Sequence, residues 1–382
     1  MQLQDYVIIT NANWLHCPYI SRFQARVRIR SAMFSHPALT LQHAPVNRRK
    51  MLRAVIAVGL PLTIALVRGE FLPAVYGAVA GFYTLFVDSG GDTGERLAAI
   101  LYMTVGMLLA GIAGVVGHYV PGSALVLLLG FTAVAGWLQG AGSAVEFIGK
   151  YWLIAFLFGD SAPDLPPLCG TYVIVGGLAG MFAVLVDLAI ARRPEPQSAP
   201  MLRDAARHLL RRRHTNGAFT FYFMVLVVVG YVVGHWLGLT RAYWVPLTIV
   251  IVTVYDPRHS IHKLIQRLAG SLLGAVLGAL IVHFVRAEWA LALCVTAMAA
   301  WLPAAQARNY WVAVIPITAL VMVLLDFGIL RGSMSATDFA LARMADTVVG
   351  CIVCGVGAMI YLRLLPRIEA AQSPRRLRQK RD

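Results

Sequence analysis

Residues 241–285 read RAYWVPLTIVIVTVYDPRHSIHKLIQRLAGSLLGAVLGALIVHFV, and this stretch decides the fold. It holds an apolar run opened by Tyr243-Trp244 and bent by Pro246, a basic turn at Asp256-Pro257-Arg258, and a second apolar run with small residues at Gly270, Gly274 and Gly278. Neither run has the polar face a helix needs against water, so both suit lipid or an interior built of similar helices. The expectation is two membrane-spanning helices joined by a tight turn. Small residues four apart line one side of a helix and let a neighbouring backbone approach where no hydrophobic effect draws helices together. Gly270, Gly274 and Gly278 therefore read as packing residues.

Composition extends that reading to the whole chain. Of 382 residues, 59% are hydrophobic and 13% charged, against about a quarter charged in soluble domains. Mean hydropathy is +0.70. The long runs do not alternate in polarity, which excludes a β-barrel. The class is an all-α membrane protein. The net charge of +15 gathers in an N-terminal arm, a mid-chain linker and a C-terminal tail. That distribution sets orientation in a bilayer rather than binding nucleic acid. Among the five cysteines only Cys351 and Cys354 form a C-x-x-C, inside an apolar run, so neither a disulfide framework nor a zinc site is indicated. No metal and no cofactor is expected.

Residues 1–50 form a basic arm with a single acid, Asp5, and no apolar core of signal-peptide length. The arm is expected to lack order, with Met33 or Met51 as the start of translation; its Arg-rich, acid-poor composition also resembles an organelle transit peptide. A first membrane block, 51–191, holds apolar segments at 54–67, 72–87, 97–117, 124–138, 145–158 and 168–190. A basic linker, 192–217, can form a short amphipathic surface helix. A second block, 218–365, holds segments at 218–237, 243–255, 264–285, 289–302, 310–325 and 344–362, and a basic tail follows at 366–382. About twelve crossings are expected, several shorter than the roughly 20 residues of a straight span. With both termini and the linker in the cytoplasm, the far side keeps only Arg68, Arg241, Arg286, Arg331 and Arg343, which is the positive-inside pattern of a bacterial inner-membrane protein.

The two blocks resemble each other. Asp88 and Asp256 close the second segment of each, and the first glycine of the third segment follows at the same interval, Gly106 and Gly274. Gly106, Ala110 and Gly114 then match Gly274, Gly278 and Val282, and Tyr151-Trp152 matches Tyr310-Trp311 at the start of the fifth segment. Blocks of six helices that both start on one side are parallel repeats about an axis along the membrane normal.

At 243–278 the pattern Y-W-x-x-L-T, then Asp-Pro, Lys263 and Arg267, then G-S-x-x-G-x-x-x-G resembles the membrane domain of the fusaric acid resistance family. The resemblance extends from about Phe219 to Leu365 and more weakly over the first block, where Pro73, Tyr76, Asp88 and Arg96 stand in the corresponding places. It implies an inner-membrane transporter of two similar blocks, some members exporting aromatic carboxylic acids with a periplasmic adaptor protein. Larger exporters carry a substantial cytoplasmic region after the first block, whereas this chain has the short linker. Gly270-Ser271 stands where the family has Gly-Thr.

Ionisable groups deep in a bilayer cost about 2.5–3.5 kcal/mol on insertion scales, so those present are functional candidates. Asp88 and Asp256 read as coupling or gating carboxylates, or as caps. Glu146 and Lys150 are four apart in the order that favours an ion pair, with gating as the alternative role. Tyr76, Tyr243 and Trp244 lie beside prolines in short segments and, with Thr248, are candidate substrate contacts. The alternative for the aromatic pair is an interfacial belt. Arg267, with Arg96 and Lys263, can attract an organic anion at the cytoplasmic mouths, or simply orient the helices and pair with Asp256 or Asp88. Walker-type, H-E-x-x-H and G-x-S-x-G motifs are absent, so no enzyme is expected. Three functions remain: a secondary exporter of small aromatic or amphiphilic organic acids, a passive organic-anion channel, and an accessory protein scaffolding a partner, with a homo-oligomer compatible with each.

Overall fold

In this computed structural model the described residues are 41, 45–162, 164, 166–193, 195–197, 202–210, 217–255, 257–325 and 335–378. Every regular element among them is a helix. The first six are α1 Arg48–Arg68, α2 Phe71–Val87, α3 Thr93–Tyr119, α4 Ser123–Trp137, α5 Ser143–Ser161 and α6 Leu168–Ala191. A short α7, Leu202–Leu210, precedes α8 Gly217–Trp236, α9 Trp244–Val252, α10 Pro257–Phe284, α11 Glu288–Arg308, α12 Tyr310–Leu325 and α13 Ala336–Arg378. Each of the twelve apolar segments expected from the sequence holds a helix, and the linker holds α7. The backbone of α13 stays helical past 366, so the basic tail does not begin at a helix end. The N-terminal arm up to 40, Asp256 and Asp326 lie outside the described residues.

Local chemistry starts and stops these helices. Asn47 caps α1, its side-chain oxygen accepting from the Lys50 N–H at 3.0 Å. Gly69 closes it at φ 72°, a left-handed geometry that costs glycine little. The inner face of α1 repeats Ala54, Ala57, Val58, Leu62 and Ala65, while Leu52, Val55, Leu60 and Val67 on the other faces are exposed. A helix apolar on both its buried and its exposed face belongs in lipid. Elsewhere Phe221, Trp236, Phe284 and Trp289 are 66–81% exposed, an outer surface that water would not tolerate. Seven of the described helices, α1, α3, α6, α8, α10, α11 and α13, are long and apolar enough to cross a membrane, and α2, α4 and α12 are shorter apolar helices. The chain is a multi-pass integral membrane protein.

α9 departs from the expected span at 243–255. It covers nine residues, about 13 Å at 1.5 Å per residue, where the hydrocarbon core is about 30 Å thick. All of it except Ile251 is buried, and Thr253 continues as extended chain. Pro246 sits in its first turn, where its missing N–H leaves no helical bond unmade.

Within the first six helices α1 packs on α2 and α6, α2 on α6, and α3 on α5; within the last six α8 packs on α9 and α13, α9 on α13, and α10 on α12. Two main seams join the sets, α1 against α11 and α4 against α8, and α5 makes a smaller contact with α9. Glycines set the closest approaches. A β-carbon on Gly106 would strike the Trp152 indole and one on Gly114 the Phe156 carbonyl, between α3 and α5. Between α10 and α12, one on Gly270 would strike the Trp311 carbonyl, one on Gly274 would stand 2.6 Å from the Ile315 carbonyl oxygen, and one on Gly278 2.9 Å from Cβ of Met322.

Candidate functional site

Among the described residues two clusters of buried charged groups stand out, and they differ in charge balance. The first joins the start of α1, the end of α2, the start of α3 and the end of α6. Arg53, 2% exposed, reaches Asp88 at 3.1 Å, Asp187 at 2.9 Å and Glu195 at 2.6 Å. Arg96 holds Asp88 through two bonds of 2.7 and 2.8 Å, and Arg49 holds Asp187 at 2.8 Å. Three guanidiniums thus meet three carboxylates, which is the pairing a buried charge requires. Asp88, a sequence candidate for coupling or gating, belongs to this neutral cluster with Arg96. Burial would raise its carboxyl, but the Arg96 hydrogen bond and the Arg53 charge outweigh that and hold it below its ordinary value.

The second cluster faces a cavity of about 660 Å³. Residues of both helix sets line it: aromatic rings at Tyr76, Tyr83, Phe86, Phe147, Tyr151, Trp244 and Tyr310, and charges at Lys150, Lys263, Arg267, Arg343 and Glu146. Tyr83 and Tyr151 stack with centroids 3.9 Å apart. Arg343 lies over the Trp244 ring at 3.5 Å, and Lys263 over the Tyr310 ring at 5.3 Å. Arg267 and Arg343 are 1% and 2% exposed, and among the described residues neither forms an ion pair. Among the described lining residues, four cations against one acid in an apolar enclosure make a region of positive potential that favours an anion.

The sequence candidates divide accordingly. Tyr76, Trp244, Arg267, Glu146 and Lys150 line the cavity. Tyr243 lies beside it, its ring 5.3 Å from that of Trp244. Thr248 does not reach it: fully buried, it abuts α13, where a β-carbon on Gly350 would stand 2.8 Å from Thr248 Cβ. The expected Glu146–Lys150 ion pair is not formed. Lys150 Nζ instead donates to the Thr253 carbonyl at 2.9 Å, and Glu146 accepts from the Gly140 N–H at 2.8 Å. The reason lies in α9, whose early end leaves carbonyls without helical partners at the negative end of the helix dipole. Asp256 is outside the described residues. Tyr151 and Tyr310, which open the fifth segment of each block, line the cavity. Arg343, counted in the sequence as a far-side charge, lies inside α13, and Asp346, three residues further along it, is 2% exposed. Their signal in the sequence was an Arg and an Asp three apart, ahead of an apolar run.

Comparison with known proteins bears on the half of the chain that supplies Trp244, Arg267 and Arg343. Residues 227–356 match the family described as fusaric acid resistance protein-like. The match covers α9 to α12, the second half of α8 and the first half of α13, and so agrees with the resemblance carried by 243–278. Two relatives are similar over this size of segment. An uncharacterized membrane protein YvaC of Bacillus subtilis (strain 168) is 32% identical over 127 residues, 33% of this chain and 20% of its own length. An uncharacterized protein YhfK of Escherichia coli (strain K12) is 26% identical over 140 residues, 36% of this chain and 19% of its own. The matched part thus spans about a fifth of each relative. No solved structure matches.

Proposed function

We propose that this fusaric acid resistance protein-like chain is an inner-membrane secondary transporter that carries small aromatic or amphiphilic organic acids outward. The observation that carries the reading is the cavity of about 660 Å³, whose walls, among the described residues, combine aromatic rings with Lys150, Lys263, Arg267 and Arg343 against the single acid Glu146. Rings suit the apolar body of such a solute and the cations suit its carboxylate. Tyr76, Trp244 and Arg267 are the substrate contacts, and Glu146 and Lys150 the coupling or gating groups.

The packing pattern supports an arrangement of twelve helices in two parallel repeats. Contacts of α1 with α11 and of α4 with α8 are exchanged equivalents once α8 is set against α1 and α11 against α4. Transport sites lie where such repeats meet and where helices are interrupted; α9 is interrupted and supplies Trp244. The charge distribution supports cytoplasmic termini and linker. A periplasmic adaptor is the partner such an exporter would use.

Deleting the gene and challenging cells with a panel of aromatic acids tests the reading. Lower tolerance and slower efflux of at least one acid are expected; unchanged tolerance and efflux across the panel contradict it.

A further inference from the structure

Buried arginines in this protein come in two kinds. Arg53 and Arg96 are matched by Asp88, Asp187 and Glu195. Arg343 and Arg267 are as deeply buried, yet neither forms an ion pair among the described residues. Nε and Nη1 of Arg343 and Nε of Arg267 meet no hydrogen-bond partner there, and unlike Nε of Arg53 and Nη1 of Arg96, which are also without one, they have no carboxylate paired with their guanidinium to offset the charge. Asp346, three residues beyond Arg343 on the same helix, keeps Oδ2 unpartnered as well and forms no direct ion pair with the arginine. An interior guanidinium without an anion is costly to hold, and both of these line the cavity.

The geometry also limits what can bind. α10 and α13 pack together, so Arg267 and Arg343 open from adjoining helices. The indole of Trp244 covers one face of the Arg343 guanidinium at 3.5 Å. All five N–H donors of a guanidinium lie in its plane. With a face covered and the plane fixed, donors remain at the edge, where they match the two oxygens of a planar oxyanion. Tyr83, Phe86 and Tyr151 line the apolar wall of the same space.

We propose that Arg343 and Arg267 form the carboxylate subsite of the cavity, Arg343 held in register by Trp244, and that the site takes planar carboxylates attached to an apolar body while rejecting their neutral isosteres. The assignment rests on the transport reading and specifies its recognition chemistry.

Calorimetric titration of the purified full chain in detergent with benzoate and with benzamide tests it, on the wild type and on Arg343→Gln, Arg267→Gln and Arg343→Lys. Loss of hydrogen bonds to a charged ligand predicts that each Gln variant weakens benzoate binding by about tenfold or more, with Arg343→Lys between them and the wild type. Benzamide binds far more weakly than benzoate to the wild type and is little changed by the substitutions. Melting temperatures near the wild-type value confirm that the variants are folded. Benzoate binding unchanged in both Gln variants, no benzoate binding by the wild type, or equal binding of benzamide and benzoate overturns the subsite. The first of these, with wild-type vesicles still carrying benzoate, leaves the transport reading intact; that reading fails separately if wild-type vesicles carry no organic acid.

Discussion

The guanidinium of Arg343, on α13, stacks 3.5 Å from the indole of Trp244, the first residue of α9. A cation over an aromatic face in a desolvated place gains about 2 kcal/mol or more, and this contact joins a full-length helix to an interrupted one. Trp244→Ala removes the support and leaves a void. It is expected to destabilise the protein by about 3–5 kcal/mol, with Trp244→Phe costing less, both measured as detergent-solubilised unfolding. Equal losses in the two variants would mean that the ring face does not matter.

The Arg53 cluster predicts a graded response. Arg53→Ala leaves Asp187 and Glu195 short of a buried partner and is expected to cost about 3–5 kcal/mol. Arg49 is 29% exposed at its side chain, so Arg49→Ala should cost about 1 kcal/mol or less. The same unfolding measurement compares them, and a reversed order would contradict the assignment of Arg53 as the centre.

The cluster also sets a pH dependence. Asp88, just beyond the end of α2, has its carboxyl held below the ordinary value by Arg96 and Arg53 against the effect of burial. A carboxyl depressed in the folded state adds stability above the ordinary carboxylate range and loses it as pH falls through the folded value. The melting temperature should therefore drop on acidification below about pH 4, and Asp88→Asn, already destabilised at neutral pH, should show a flatter drop. An unaltered acid limb in the variant would count against the ion pairs.

Glycine packing predicts a contrast between two helices. Gly274 leaves no room for a β-carbon against the Ile315 carbonyl, whereas Gly130 on α4 has nothing within 4 Å. Gly274→Val is expected to cost about 1–3 kcal/mol by overpacking. Gly130→Ala should be neutral or stabilising, by about 0.5–1 kcal/mol, through helix propensity. Thermal unfolding of both variants checks the pair.

Much of this was legible in the sequence. The twelve apolar segments needed only hydropathy and the punctuation of Pro, Gly and charge, because spans in lipid must satisfy their backbone internally. The glycines of α3 and α10 were legible for the same reason, since spacing puts small residues on one helix face. What escaped was whatever depends on contacts between distant segments. Hydropathy runs unbroken through Ile251, Val252 and Val254 and so cannot show that α9 stops at Val252. Lys150 has a suitable acid one turn away at Glu146, but its partner is a carbonyl 103 residues distant. Arg343 precedes the apolar part of its helix and so resembles a loop charge, until packing against α9 puts Trp244 over it.

Carriage of organic anions across the membrane through the cavity is the function proposed for this chain. Its most direct measurement is flux of radiolabelled benzoate and related aromatic acids through proteoliposomes, with and without an imposed proton gradient. Saturable flux of at least one acid above empty liposomes is expected, increased by the gradient and strongly reduced by Arg267→Gln. Flux indistinguishable from empty liposomes for every acid would contradict it, and a non-saturating, gradient-independent current would make the protein a channel instead.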